Sequence, residues 1–363
     1  MIAAEFGQGT YSPSEVLQLH SHKGTRVQPS NLADTLLLRH CSRKLRHRRG
    51  RPLGSRALIT DQLLSVLRAD VPHSVFRTDV HRFYQSIRPK QPLIQSAIAS
   101  SLTADELLWC MEIFESTPAG LNELPQGLSI SAELSEFVMS DFDISMSRLP
   151  NCVYYARFVD DIVVVTAGTS TDLSGTDFRD LLPEGLKLSP KKTELVHWKD
   201  GRSRKIEVTY LGYTFRLRNR IRAGKDTNVL VTMAEKKIRK YEQRIAEALS
   251  AYLNEGDFSL LRDRIKYLTA GTSFHSQLRH RQRTTGISAN YPLINNHRCL
   301  KRLDAFLGSS IRQTCDEAGT RLLTSHQIRS LRKFSFTASH KHGIRNRFSG
   351  DRLKQIIEAF SRA

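Results

Sequence analysis

Tyr155-Ala156-Arg157-Phe158-Val159-Asp160-Asp161-Ile162-Val163-Val164-Val165 is the stretch on which the fold turns. Apolar β-formers stand on both sides of two adjacent carboxylates. Such residues favour strands, and a tight turn falls at the Asp-Asp step, so the stretch predicts a β-hairpin with two acids at its tip. Like charges that close are costly unless a divalent cation neutralises them. Taken alone, a solvated Asp-Asp turn in an ordinary hairpin reads the same way. The rest of the chain has to separate the two.

Upstream, Val75-Phe76-Arg77-Thr78-Asp79 is an apolar strand ending on a carboxylate, with the aromatic pair Phe83-Tyr84 just beyond. Asp79 reads either as a helix cap at a strand-to-helix junction or as a third acid beside the hairpin. Three carboxylates from two neighbouring strands can hold two magnesium ions about 3.5–4 Å apart. A helical region is expected over roughly 92–116. Pro125-Gln126-Gly127 marks a turn, and apolar periodicity after Ser129 predicts a buried helix to about residue 147.

Before residue 75 the sequence predicts an irregular start and a short helix around 31–38. Then Arg39 to Arg51 runs without a single acid. That run suits a solvated helix face or disordered arm, or a phosphate-binding surface. After the hairpin come a short helix (176–182) and the segment Leu188-Ser189-Pro190-Lys191-Lys192-Thr193. Val208 to Phe215 reads as a strand with Gly212 where backbone approaches closely. A basic amphipathic helix is expected from about Met233 to Leu253, then helices at 258–269, 300–317, 325–333 and 350–361 with only loops between. A domain boundary is placed near 216–230.

The 363 residues are 39% hydrophobic and 25% charged, ordinary for a globular protein. The net charge of +19 is not, and points to a polyanionic partner, most often nucleic acid. No apolar run reaches the ~18 residues of a spanning helix, and the first fifteen residues lack the pattern of a signal peptide. Five scattered cysteines without a CxxC pair argue against disulfides or zinc and for free thiols in a reducing cytoplasm.

In order and spacing these pieces resemble a bacterial reverse transcriptase of the retron and group II intron kind. Five motifs match within residues 75–215: Asp79 to Ile87, Pro125-Gln126-Gly127 with Ser131, Phe158-Val159-Asp160-Asp161, Leu188 to Thr193, and Leu211-Gly212-Tyr213. The segment Gly286 to Ile294 resembles one in defence-associated reverse transcriptases of the "unknown group" kind. The usual finger motifs are hard to see before residue 75.

The resemblance implies an α+β right-hand polymerase fold: fingers and a palm of antiparallel sheet backed by helices, then an α-helical thumb and C-terminal region. Residues 1–74 would be the N-terminal segment and basic fingers. Residues 75–215 would be the palm, with a finger insertion at about 88–122, and 216–363 the thumb and C-terminal region. Asp79, Asp160 and Asp161 would bind two Mg²⁺ ions, or Mn²⁺, with the Val80 carbonyl as an added ligand. Lys191 or Lys192 would stabilise the leaving pyrophosphate. Gln126 and Gly127 would line the nucleotide pocket. Arg43, Arg46, Arg48, Arg49, Arg51 and Arg56 are candidates for the triphosphate or template backbone, and Lys236, Lys237, Lys240 and Arg244 for the duplex.

Tyr84 stands where RNA-copying RNA polymerases carry an aspartate for the ribose 2′-OH. A ring there would collide with that hydroxyl and favour deoxynucleotides. The implied partners are an RNA template, a dedicated non-coding RNA, the DNA product, dNTPs and a second protein of a defence operon, with no membrane. The alternatives are a retron or intron-derived enzyme with no defence role, and a catalytically silent RNA-binding protein.

Overall fold

The computed structural model describes residues 2–21, 24–50, 54–69, 71–168, 176–198, 206–218, 228–276, 281–314 and 322–360. The chain divides into two compact units, Met1–Asp200 and Gly201–Ala363.

The first unit opens with α1 (Ile2–Gln8), the hairpin β1 (Val16–Ser21) and β2 (Gly24–Pro29), then α2 (Leu32–Arg49) and α3 (Arg56–Leu67). β3 (His73–Asp79) leads to α4 (Pro92–Ala99), α5 (Ala104–Glu115), α6 (Ser129–Val138) and α7 (Ser140–Ser147). β4 (Cys152–Phe158), β5 (Asp161–Ala167), α8 (Thr176–Asp180) and β6 (Glu194–Trp198) complete it. Four strands form an antiparallel sheet in the order β4-β5-β3-β6. Ile162 to Val165 are fully buried, which explains why β5 reads as a continuous apolar run without alternation. Leu37, Leu38, Cys41 and Leu45 of α2 share one core with Phe76, Ile162 and Val164 of the sheet and Leu134 of α6. This is the antiparallel sheet backed by helices that the polymerase resemblance implies.

The expectation of a short helix ending near residue 38 is corrected. α2 continues through the basic run to Arg49, capped by Asn31, whose side chain accepts from the Asp34 amide at 2.7 Å, and closed by Gly50 at φ +71°. Its apolar residues recur at helical spacing, so the core holds one face and the charges occupy the rest. The irregular start is also a correction: it is the β1–β2 hairpin. The region 92–116 is two helices, the second begun by a capping box at Thr103. The helix expected over 129–147 breaks at Met139 into α6 and α7.

The hairpin reaches the Pro125-Gln126-Gly127 turn. The Val27 amide donates to the Gln126 carbonyl at 2.8 Å. Gly127 sits at φ +111°, and a Cβ there would collide with the Val27 carbonyl oxygen. Gly127→Ala should therefore cost about 1–3 kcal/mol of backbone strain, besides pushing β2 away. Urea unfolding of the two proteins measures this, with a lowered midpoint expected.

In the second unit, β7 (Ile206–Tyr210), β8 (Tyr213–Leu217) and β9 (Val229–Met233) form an antiparallel sheet in that order. The single strand expected over 208–215 is a hairpin: Leu211 and Gly212 both have positive φ (43° and 82°), the two-residue turn that matches strand twist. α9 (Glu235–Glu255) and α10 (Phe258–Thr269) follow, then β10 (Gly271–Ser276), β11 (Arg281–Gly286) and α11 (Ile287–Asn290). α12 (Arg298–Arg312), α13 (Ser325–Leu331), α14 (Phe336–His342), β12 (Arg345–Asn346) and α15 (Gly350–Glu358) end the unit. The sheet β11-β10-β12 stands where only loops were expected. Its sequence is mostly Thr, Ser, Gln and Arg, without the apolar alternation that announces a strand. Among the described residues no helix is long and apolar enough to cross a membrane.

Candidate active site

The sheet brings the three acids together. Asp79, the last residue of β3, pairs directly opposite Asp161, the first of β5. Phe158 ends β4 opposite the same Asp161, so Val159 and Asp160 form the turn. Carboxylate oxygens of Asp79, Asp160 and Asp161 lie within 4.8 Å of one another. Burial first, and then the charges of Asp79 and Asp161, push Asp160 up to about 6. An all-oxygen set of crowded carboxylates fits a hard divalent cation.

The backbone beneath the acids is tied down. The Val80 amide donates to the Asp160 carbonyl at 3.0 Å, and the Ser189 amide to the Asp79 carbonyl at 2.8 Å. The His81 amide donates to the Lys187 carbonyl at 2.8 Å, and the Thr78 and Thr193 hydroxyls are 2.7 Å apart. These bonds lay residues 187–193 along the end of β3. They deliver Lys192, whose Nζ is 2.6 Å from Asp79 Oδ2. The geometry thus separates the two lysines: Lys192 pairs with an acid, whereas Lys191 is exposed on the 3-10 turn Pro190–Lys192.

Val159 lies at φ +61°, a left-handed backbone that β-branched residues avoid. Arg157 supports it. One guanidinium nitrogen, Nη1, donates to the Val159 carbonyl at 2.9 Å. The same group reaches Glu136 of α6 at 3.0 and 2.7 Å and Asp143 of α7 at 2.8 and 2.7 Å. The Tyr155 hydroxyl donates to Asp143 at 2.6 Å. The Arg157 side chain is 3% exposed. Burial alone would lower its pKa, but hydrogen bonds to Asp143 and Glu136 outweigh this and hold it above its usual range. Sequence reasoning passed over Arg157, Glu136 and Asp143. The one available signal was an arginine inside an otherwise apolar strand.

Tyr84 opens the 3-10 turn Tyr84–Ser86 and is half-buried, with its ring centroid 5.4 Å from that of the buried Phe83. Burial raises its phenol pKa. A hydrogen bond with Ser135 opposes the rise, the Glu136 and Asp160 carboxylates add to it, and Arg157 opposes. Tyr84 thus lies within the electrostatic reach of the acid turn. Gln126 is half-buried and follows Leu124 and Pro125 in the chain; the Leu124 amide donates to the Tyr84 and Ile87 carbonyls at 3.1 and 2.8 Å. Gly127 is exposed and held against Val27.

The arginine candidates divide. Arg46 and Arg49 both pair with the buried Glu133 of α6. Arg43 and Arg48 are exposed, Arg56 is the half-buried first residue of α3, and Arg51 lies outside the described residues. In the second unit Lys236, Lys237 and Lys240 are exposed on α9. Arg244 is half-buried, its guanidinium 5.7 Å from the centre of the Phe360 ring.

Residues 61–215 match the family model described as reverse transcriptase (RNA-dependent DNA polymerase). No curated protein matches the chain. Among solved structures it is similar to a telomerase from Candida tropicalis in complex with a TWJ fragment of telomeric RNA. That pair is 11% identical with TM-score 0.44, covering 99% of this chain and 67% of that one. The apo Candida tropicalis telomerase truncated from the C-terminal domain is 13% identical with TM-score 0.42, covering 61% and 54%. The Candida albicans telomerase with a TWJ fragment is 12% identical with TM-score 0.39, covering 88% and 62%. The chain thus spans between about half and two-thirds of the length of these telomerases.

Proposed function

We propose, for a chain that carries a reverse transcriptase domain over residues 61–215, that it is an RNA-directed DNA polymerase adding deoxynucleotides to a primer 3′ end. One observation carries this reading: three carboxylates from β3 and the β4–β5 turn, gathered within 4.8 Å. Asp79, Asp160 and Asp161, with the Val80 carbonyl, would hold two divalent ions, Mg²⁺ or Mn²⁺. When bound, the ions supply charge stabilisation to the attacking and leaving oxygens of an in-line displacement.

The chain's own groups do the rest. Arg157 fixes the turn that carries Asp160. Lys192, within reach of Asp79, offers a positive charge or a proton to the leaving pyrophosphate, with Lys191 as a second cation on the same turn. Gln126 and Gly127 form the floor of the nucleotide pocket, held in place by Val27, and Arg56 meets the triphosphate. Residues 1–74 and the insertion at about 88–122 are the fingers, and residues 75–215 are the palm, running from the first unit into the second. In the second, α9 is the thumb helix and turns Lys236, Lys237 and Lys240 to duplex phosphates. We assign the template to a dedicated non-coding RNA and the setting to bacterial antiphage defence in the cytoplasm with a partner from the same operon. The resemblance of Gly286 to Ile294 to defence-associated enzymes supports this.

Primer extension on an RNA template with each dNTP or rNTP supplied singly tests the chemistry. Incorporation of dNTPs with Mg²⁺ or Mn²⁺ is expected, and no extension on any template overturns the reading. The same assay tests Tyr84. Removing the ring should relieve a clash with the 2′-OH and leave the acids in place. Tyr84→Ala should then shift the rNTP:dNTP ratio of kcat/KM toward ribonucleotides by on the order of tenfold or more, about 1.4 kcal/mol. An unmoved ratio makes Tyr84 a core aromatic. Sequencing the nucleic acid that copurifies with the protein tests the template assignment.

A further inference from the structure

Lys192 reaches Asp79 from a fixed stem. The Ser189 amide donates to the Asp79 carbonyl at 2.8 Å, the His81 amide to the Lys187 carbonyl at 2.8 Å, and the Thr78 and Thr193 hydroxyls are 2.7 Å apart. These ties fall on both sides of Lys192, and its own amide donates to the Ser189 carbonyl at 3.0 Å. Its backbone is therefore pinned, and the four methylenes of the side chain are what can move. That side chain is 51% exposed, whereas the Asp79 side chain is 7% exposed. The ammonium donates to Asp79 Oδ2 at 2.6 Å, a charge-assisted hydrogen bond between a buried acid and a solvated base.

We propose that Lys192 is an internal counter-ion for Asp79 that competes with a divalent cation for this carboxylate, and so sets the divalent concentration at which the acid cluster fills. Lys192 has this part only if Asp79, Asp160 and Asp161 take divalent ions, as in the proposed function. A carboxylate that already accepts from an ammonium is charge-compensated, and a divalent ion brought to the same oxygens meets a like charge. Burial sharpens the competition: Asp79 has little water to screen it, so a positive charge must stay beside it. Lysine suits a counter-ion that has to leave. It is one compact charge on a flexible stem, without the fork of arginine. Arg157, forked to Glu136 and Asp143 and 3% exposed, is built the other way, to stay. By reciprocity, whatever Lys192 takes from the affinity of the ion, the ion takes from the hold of Lys192 on Asp79. The ammonium released from Asp79 is the one available to the pyrophosphate.

Mn²⁺ titrated into the full chain, followed by the electron paramagnetic resonance signal of the free ion, reads the competition without any turnover. Lys192→Met should lower the Mn²⁺ Kd on the order of tenfold, the scale of a unit charge a few ångströms from a divalent ion in water-like surroundings. Lys192→Gln keeps a donor for Asp79 and loses only the charge. It should tighten binding as well, and it stands in if the Met variant folds poorly. Lys192→Arg should bind Mn²⁺ no more tightly than the wild type. Lys191→Met removes the same charge one residue away on the same exposed turn and should change the Kd far less. Thermal midpoints give a second readout: Lys192→Met should melt lower in EDTA and gain more from Mn²⁺ than the wild type does. Wild-type or weaker Mn²⁺ binding in both Lys192→Met and Lys192→Gln overturns the proposal. Equal tightening in Lys191→Met overturns it too, since net charge alone would then be at work. Mn²⁺ binding that neither Asp79→Asn nor Asp160→Asn weakens removes the divalent site and the counter-ion with it. A site tightened by Lys192→Met in a protein that extends no primer leaves the counter-ion standing and removes the polymerase.

Discussion

Asp160→Asn should leave a folded protein that binds RNA and incorporates no measurable nucleotide. Burial, and then the charges of Asp79 and Asp161, push Asp160 up to about 6. An amide of the same shape removes that repulsion, so a raised or equal thermal midpoint is expected. The same change removes one of the charges that would hold the two proposed cations. A rate loss on the order of 10³ or more corresponds to at least about 4 kcal/mol of transition-state stabilisation. Single-nucleotide extension with Mg²⁺ and with Mn²⁺ measures the loss. Mn²⁺ binding, followed by paramagnetic broadening, should weaken in parallel. Full activity in the variant would remove the two-metal assignment and with it the central role of the turn.

The second large effect belongs to Arg157, which touches no reacting atom. Arg157→Met would leave Glu136 buried without its cation, and Asp143 short of two donors. Breaking a buried pair by deleting one partner costs about 3–5 kcal/mol, so a much lowered denaturation midpoint is expected. Arg157→Lys separates positioning from folding. A lysine keeps the charge but cannot fork to two carboxylates and the Val159 carbonyl at once. That variant should fold, keep its KM for dNTP and lose kcat, because the turn carrying Asp160 is no longer pinned. An Arg157→Lys enzyme with wild-type kcat would show that the network serves the fold alone.

These two residues also mark how far the sequence could be read. The acids were legible because their chemistry is local: two sit side by side, and the third ends a strand of plain β character. The Arg157 network was not, since Glu136 and Asp143 lie 21 and 14 positions away on helices, and only packing brings them to β4. That Lys192 rather than Lys191 stands against Asp79 follows from the backbone bonds that lay residues 187–193 along the end of β3. α2 was misjudged because its charges mask a sparse apolar stripe, and the β10–β11 hairpin because its residues are polar throughout. The Leu211-Gly212 turn carried its signal in the glycine, but the apolar residues on both sides read as one strand.

The tie between Val27 and the Gln126-Gly127 turn bears on where this protein can be cut. The region recognisable by similarity begins at residue 61, yet the structural module does not. Tyr11, Val27 and the inner face of α2 are in the same core as Phe76 and Ile162. A fragment begun at residue 61 would expose that core and strip the Gln126 carbonyl of its donor. For expression, grafting or domain shuffling, a boundary drawn where the similarity begins passes through the interior of the Met1–Asp200 unit.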